Sequence, residues 1–221
     1  MPVQLAERVK RVKPSPTVAL TGRVARLKAE GHDIIGLGIG EPDFDTPTHI
    51  ADAGVDAIRN GFTRYTAVEG IPELKDAIIA KFKRDNDIAY TRPQILASTG
   101  AKQTIYNLFM AVVDPGDEVV IPAPYWVSYP DMALLADGVP VMPYAGPDQG
   151  YKVTAAQLEA AITPRTRVFM LNSPSNPTGA AYTRAELEAI GAVLRKHPRV
   201  VVATDDMYEH IYWAPEPFCS F

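Results

Sequence analysis

The sequence predicts an α/β fold in which a mostly parallel sheet is covered by helices on both faces. Short apolar runs alternate along the chain with segments of helical periodicity, which is typical of strand–helix–strand units. Parallel sheets built in this way are buried on both faces. Their ligands bind beyond the carboxyl ends of the strands, so the residues directly after each strand are the candidate site residues.

The first 90 residues predict four helices, each bounded by a proline or a glycine. Their approximate ranges are residues 5–12, 18–30, 46–61 and 72–86. Thr46 is predicted to cap the third helix, with Pro47 in its first turn. A short apolar run at Asp33–Leu37 is predicted to be a strand.

Beyond residue 90 the predicted strands and helices alternate. The strands are Ile95–Ser98, Glu118–Ile121, Val139–Met142, Val168–Leu171 and Val200–Ala203. The helices between them are Ala101–Val113, Trp126–Ala136, Ala155–Ile162 and Thr183–His197. The last helix has a complete capping box, in which Thr183 and Glu186 satisfy each other's free backbone amide.

Composition and charge exclude several classes of protein. The chain has 47% hydrophobic and 22% charged residues, which is typical of a globular domain. Its net charge is −4 and its basic residues form no stripe, so no nucleic-acid partner is predicted. Neither a membrane span nor a signal peptide is found, and we expect a cytoplasmic protein with no membrane partner. The single cysteine, Cys219, excludes an internal disulfide, and four scattered histidines predict no metal site.

Two of the strand-end segments have the residue types of a cofactor site. Ser98–Lys102 opens a helix with small residues, including Gly100 and Ala101, whose backbone amides suit a phosphate group. A plain strand-to-helix turn that needs one glycine explains the same residues. Trp126 follows the next strand, where its ring would stack on a planar cofactor or pack in the core.

The two later strands are followed by polar segments. Asn172–Gly179 contains prolines, asparagines and a glycine, so it is a shaped loop in which we expect one or more cis X-Pro bonds. Asn176 in this loop would donate to a phenolate oxygen. Asp205 needs a cationic partner at the edge of an apolar sheet, and a protonated pyridine nitrogen would serve. Tyr208 would reach the neighbouring ring oxygen, although Asp205 could instead cap a helix starting at Met207.

With these residues the chain resembles the class I/II aminotransferases of fold type I, which use pyridoxal phosphate. It is most similar to the bacterial aspartate aminotransferases of the branch that includes the aspartate/prephenate enzymes. The motifs that carry the resemblance run in order along the whole chain: residues 13–15, 40–47, Tyr65 with 70–74, 100–103, 114–119, 124–129, 172–179 and 205–209.

The resemblance implies a role for each matching residue. Gly100, Ala101 and Lys102 correspond to the phosphate cradle, Trp126 to the ring-stacking residue, Asn176 and Tyr208 to the partners of the cofactor 3-oxygen, and Asp205 to the carboxylate on the pyridine nitrogen. Gly40, Trp126 and Asn176 would line the substrate side, with Lys13 at its opening. Tyr65 would cross to the phosphate of a neighbouring subunit, which implies a homodimer with shared active sites.

The resemblance also implies the domains and the activity. Residues 1–46 would form an N-terminal arm and a small-domain segment, and residues 47–221 an incomplete cofactor-binding large domain. The expected reaction moves an amino group between an L-amino acid, such as aspartate or glutamate, and a 2-oxo acid. In relatives the Schiff-base lysine lies beyond the position of Phe221, so the 221 residues alone are expected to be inactive. A different fold-type-I activity, such as a β-lyase or a synthase, and a non-catalytic remnant are the alternatives.

Overall fold

The computed structural model describes residues 3–36, 38 and 44–221. The chain divides into two compact units. Met1–Ala19 and Thr99–Phe221 form the sheet unit, and Leu20–Ser98 forms the helical unit. The domain boundary predicted between residues 46 and 47 stays a prediction. Among the described residues, no helix is long and apolar enough to cross a membrane.

The four helices predicted before residue 90 are confirmed. They are α1 (Glu7–Lys10), α2 (Pro16–Ala29), α3 (Thr48–Arg59) and α4 (Pro72–Asn86). The predicted cap of α3 is wrong, because Pro47 occupies the N-cap position and Thr46 therefore precedes it. Pro72 begins α4, where its missing amide hydrogen removes no helical bond.

Two of the predicted strands are wrong where the structure describes them. Residues 33–36 form no strand, and Leu37 lies outside the described residues. Ile95–Ser98 also forms no strand, and the amide of Ala97 donates to the carbonyl of Glu69 at 3.0 Å in a loop contact instead. An apolar run becomes a strand only when a neighbouring strand takes its backbone hydrogen bonds, and a local pattern does not reveal that neighbour.

The remaining four predicted strands form one parallel sheet, which confirms the α/β fold. They are β1 (Glu118–Val120), β2 (Val139–Val141), β3 (Thr166–Asn172) and β4 (Val201–Asp205), in the order β2-β1-β3-β4. Helix α5 (Ala101–Val112) precedes β1, and the strands are connected by α6 (Ser128–Leu135), α7 (Ala155–Ala161) and α8 (Arg184–Leu194).

The core lies on both faces of this sheet, because successive strand residues point to opposite sides. Val168 and Met170 of β3 pack in a cluster with residues of α5 and α6. Phe169 and Leu171 pack in a second cluster with residues of α7 and α8. The predicted capping box at the start of α8 is present, since Glu186 N donates to Thr183 Oγ1 and Thr183 N to Glu186 Oε2.

The amino edge of the sheet holds a buried carboxylate. Glu118, the first residue of β1, is 3% exposed. Its Oε1 accepts from Arg165 Nε at 3.0 Å, and its Oε2 accepts from Thr163 Oγ1 at 2.5 Å and from Thr166 Oγ1 at 3.3 Å. These hydroxyl and guanidinium donors, led by Thr163, hold the pKa of the Glu118 carboxyl below its usual value against the opposing effect of burial.

Candidate functional site

At the carboxyl edge of the sheet, Asn172 joins the ends of two strands. It is the last residue of β3 and lies in register with Asp205, the last residue of β4. Its Nδ2 donates to the carbonyl of Asp205 at 2.8 Å, and its Oδ1 accepts the backbone amide of Asn176 at 2.7 Å. The Asn172 side chain therefore holds the loop after β3 against the end of β4.

This loop has the shape that its sequence predicts. The Ser173-Pro174 and Asn176-Pro177 bonds are both cis, as expected, and Gly179 has a φ of 70°, which favours glycine. The loop brings Asn176 Nδ2 to 3.5 Å from the hydroxyl of Tyr208. At this distance the two groups bond each other only weakly, and both remain able to donate to one shared acceptor.

Asp205 is held by two uncharged donors. Its Oδ2 accepts from the hydroxyl of Tyr129 at 2.7 Å, and its Oδ1 accepts from the backbone amide of Met207 at 3.2 Å. No described residue forms an ion pair with it. The alternative that Asp205 caps a helix at Met207 is wrong, because residues 207–210 form a turn.

Trp126 lies just before α6 and is partly buried. Its ring packs on the core cluster of α5 and α6, so the core interpretation holds for part of the side chain. Its ring also meets Tyr129 edge to face, with centroids 5.3 Å apart and planes at 84°. The ammonium of Lys102 lies 5.1 Å from the indole centroid, within the range of a cation–π contact.

The start of α5 offers free backbone donors. Gly100 is the N-cap residue and has a φ of 87°, a conformation that favours glycine. The backbone amides of Gly100, Ala101 and Lys102 find no carbonyl acceptor within the described part of the chain. The backbone amide of Thr99, in contrast, donates to Gln103 Oε1 at 2.7 Å. Free amides at a helix start are the donor set that binds an anion.

These contacts form one continuous series in the sheet unit, which joins side chains directly or through the backbone of Asp205 and Asn176 and which we call the contact network. It runs in the order Lys102, Trp126, Tyr129, Asp205, Asn172, Asn176 and Tyr208. Five of its seven members are predicted site residues, and the start of α5 leads directly into Lys102. Tyr129 and Asn172 were not predicted as site residues. Two features of the sequence could have indicated them: Tyr129 follows Trp126 by three residues at a helix start, and Asn172 lies at a strand end.

The other predicted site residues are not in the contact network. Lys13 lies close enough to Asp131 of α6 for its charge to act on that carboxyl, whose pKa is raised by burial and lowered in part by Lys13. Tyr65 belongs to the helical unit and is exposed. Gly40 lies outside the described residues.

A small cavity lies beside the contact network. Its volume is about 20 Å³, and its lining includes Tyr125, Tyr129, Asn172 and Ser175. This volume fits one water molecule and no cofactor. Gly100, Trp126, Asn176 and Asp205 do not line it, so it is distinct from the predicted cofactor position.

Comparisons with known proteins show what the chain is similar to. The family described as aminotransferase class I and II matches residues 32–220. The aspartate/prephenate aminotransferase of Nitrosomonas europaea is 59% identical over 218 residues, which are 99% of this chain and 55% of that protein. The enzyme of the same name from Cereibacter sphaeroides is 60% identical over 207 residues, 94% of this chain and 52% of that protein. The chain therefore spans about half the length of the curated relatives it matches.

Solved structures give the same family. The aspartate aminotransferase of Rhizobium meliloti superimposes with a TM-score of 0.95 at 49% identity, over 99% of this chain and 55% of that one. The aspartate aminotransferase of Thermus thermophilus, solved with maleate, gives a TM-score of 0.93 at 42% identity, over 98% of this chain and 56% of that one.

Proposed function

The chain belongs to the class I and II aminotransferase family, whose members depend on pyridoxal phosphate, and we propose that the full-length protein is an aspartate transaminase. It moves the amino group of aspartate or glutamate to a 2-oxo acid. The observation that carries the proposal is Asp205, a carboxylate beside the Asn176–Tyr208 pair to which the described residues offer only uncharged donors. Without a cationic partner among the described residues, this carboxylate is suited to pair with a cation that the ligand supplies.

The donor set of the contact network fits pyridoxal phosphate. The free amides of Gly100, Ala101 and Lys102 suit its phosphate, and the indole of Trp126 suits its ring. Asn176 and Tyr208 are two neighbouring donors for its 3-oxygen. Bound there, the cofactor supplies an electron sink that stabilises negative charge on the α-carbon of the amino acid.

Asp205 has the central electrostatic role in this proposal. Its charge favours a proton on the pyridine nitrogen, because an opposite charge in contact stabilises the protonated form. The two donors from Tyr129 and Met207 fix both carboxylate oxygens, so no reorganisation is needed when charge develops during the reaction. Asn176 and Tyr208 would hold the 3-oxygen of the same ring.

The substrate class is proposed from the relatives and from charge. Two relatives are aspartate/prephenate aminotransferases, and the Thermus thermophilus enzyme was solved with maleate, which is a dicarboxylate. Lys13 and Gly40 are proposed on the substrate side, and Tyr65 at the phosphate of a second subunit in a homodimer. A cytoplasmic location and the inactivity of the 221 residues by themselves also stay predictions.

Substitution of Asp205 tests the proposal in the full-length protein. Asp205→Asn keeps the shape and the acceptor for Tyr129 but removes the charge. We expect transamination between aspartate and 2-oxoglutarate to fall by at least about a hundredfold, the cost of losing one preorganised charged group. Asp206→Asn is the matched control, because Asp206 bonds Thr204 and Ser220 instead of the contact network.

Different outcomes separate the alternatives. Equal activity of the two variants would contradict the role of Asp205. Release of pyruvate from an amino acid with a β leaving group, without transfer of the amino group, would indicate a β-lyase. Absence of cofactor binding by the full-length protein would indicate a non-catalytic relative.

Tryptophan fluorescence tests the cofactor position independently of activity. The chain has two tryptophans, Trp126 in the contact network and Trp213, which is 88% exposed. If the full-length protein has others, they are replaced along with Trp213 by phenylalanine. In that variant we expect pyridoxal phosphate to quench most of the emission, because its ring lies on the indole. Emission that stays constant while the cofactor binds would exclude stacking on Trp126.

A further inference from the structure

Tyr129 is a buried tyrosine that contacts both Asp205 and Trp126. It is 2% exposed, and it lies in the first turn of α6. Its hydroxyl donates to Asp205 Oδ2 at 2.7 Å, across 76 positions of the sequence. A buried hydroxyl directed at a carboxylate forms a charge-assisted bond, which is stronger than a bond between neutral groups.

The hydroxyl keeps its proton under all ordinary conditions. Burial raises the pKa of Tyr129 far above its usual value, and the charge of Asp205 and the hydrogen bond to it raise it further. The phenol is therefore a permanent donor. Oδ2 of Asp205 accepts this hydrogen bond.

The ring of Tyr129 is fixed from a second direction. It meets the indole of Trp126 edge to face at 5.3 Å, and the two residues are three positions apart at the start of α6. Its remaining surface lies in the core cluster of α5, α6 and β3. Because the ring is held by Trp126 and by the core, the direction of its O–H bond is fixed relative to the sheet.

We propose that Tyr129 is a positioning residue that orients the Asp205 carboxylate and couples it to Trp126. The proposal rests on the proposed function, because it assigns Asp205 to the pyridine nitrogen of the cofactor. The hydroxyl occupies one lone pair of Oδ2, and Met207 occupies one of Oδ1. These two donors, one on each oxygen, thereby fix the plane of the carboxylate.

Tyr129→Phe removes the hydroxyl and keeps the ring. The matched control is Tyr182→Phe, since Tyr182 is also buried, its pKa is raised to about 12 mainly by burial, and its hydroxyl accepts the amide of Val153 at 2.9 Å. Both variants lose one buried hydroxyl, but Tyr182 does not contact Asp205.

Two measurements on the full-length protein give the expected result. In Tyr129→Phe the dissociation constant of pyridoxal phosphate rises about tenfold, the effect of one charge-assisted hydrogen bond. The ¹⁵N NMR signal of a cofactor labelled at its ring nitrogen moves toward the position of the unprotonated ring. In Tyr182→Phe the dissociation constant changes less than about twofold, and the ¹⁵N signal stays at the wild-type position.

A third measurement needs no cofactor. In urea unfolding of the cofactor-free protein, Tyr129→Phe and Asp205→Ala are expected to be non-additive, because each removes the same hydrogen bond. Additive effects, or a ¹⁵N signal in Tyr129→Phe that stays at the wild-type position, would overturn the positioning role while leaving the proposed function intact. A wild-type protein that binds no pyridoxal phosphate would overturn both.

Discussion

Two carboxylates lie at opposite edges of the same parallel sheet, and their partners differ in charge. Glu118 begins β1 and bonds a guanidinium and two hydroxyls. Asp205 ends β4 and bonds only a phenol and a backbone amide. Glu118 is neutralised by the protein itself, whereas Asp205 has no cationic partner among the described residues.

The comparison distinguishes a carboxylate that the protein pairs with a cation from one that has no cationic partner among the described residues. A charge at the edge of an apolar sheet is costly unless it is paired, so the fold is expected to supply a partner where stability alone matters. At the amino edge it supplies Arg165. Parallel sheets bind ligands at the carboxyl edge, and there the partners of Asp205 are uncharged, so a bound cation could pair with its carboxylate.

The largest expected effect on stability comes from replacing the carboxylate at each edge by its amide. Glu118→Gln should lower the free energy of unfolding by about 2 kcal/mol, because charge-assisted bonds become neutral and the new amide faces Arg165. Asp205→Asn should lower it by less than about 1 kcal/mol, because the loss of the charge-assisted bond from Tyr129 is offset by removal of a charge that has no cationic partner among the described residues. Urea unfolding of the cofactor-free protein measures both.

The affinity for pyridoxal phosphate should show the reverse order. Asp205→Asn is expected to weaken binding, whereas Glu118→Gln is expected to leave it unchanged. The distinction between the two edges breaks down if both variants lose stability to the same extent or if both lose affinity to the same extent.

The second prediction concerns acid stability. The pKa of Glu118 is lower in the folded protein than its ordinary value of 4.5, so the folded state binds a proton there less readily than the unfolded state. The stabilising contribution of Glu118 is therefore complete above pH 4.5 and is lost as the pH falls through the lowered pKa. Urea midpoints from pH 7 to pH 3 should fall less steeply in Glu118→Gln than in the wild type. Parallel curves would show that Glu118 takes no part in acid unfolding.

Much of the fold was predictable from the sequence because its signals are local. Four of the five strands after residue 90, the helices between them and the capping box of Thr183 and Glu186 depend on periodicity and on residues within one turn. The strand predicted at Ile95–Ser98 is wrong, since an apolar run does not state whether a neighbouring strand is present.

The candidate site was predictable only in part. Asn176, Asp205 and Tyr208 follow strands, and the rule that ligands bind at strand ends found them. Tyr129 was not predicted as a site residue, because its hydrogen bond joins residues 76 positions apart. Asn172 was not predicted as a site residue, because it contacts Asp205 through the register of β3 with β4, which only the folded sheet defines.

A smaller loss of stability than that of Glu118→Gln is expected at Arg165, although it provides the cation of the amino edge. Its side chain is 72% exposed, so water solvates the guanidinium whether or not Glu118 is present. Arg165→Met should therefore lower the free energy of unfolding by less than about 1 kcal/mol, and added salt should reduce the difference. In this variant Glu118 would stay buried, and the hydroxyls of Thr163 and Thr166 would still donate to its Oε2. Urea unfolding at low and high salt checks the prediction. A loss as large as that of Glu118→Gln would show that the ion pair, and not the hydroxyls, holds this carboxylate.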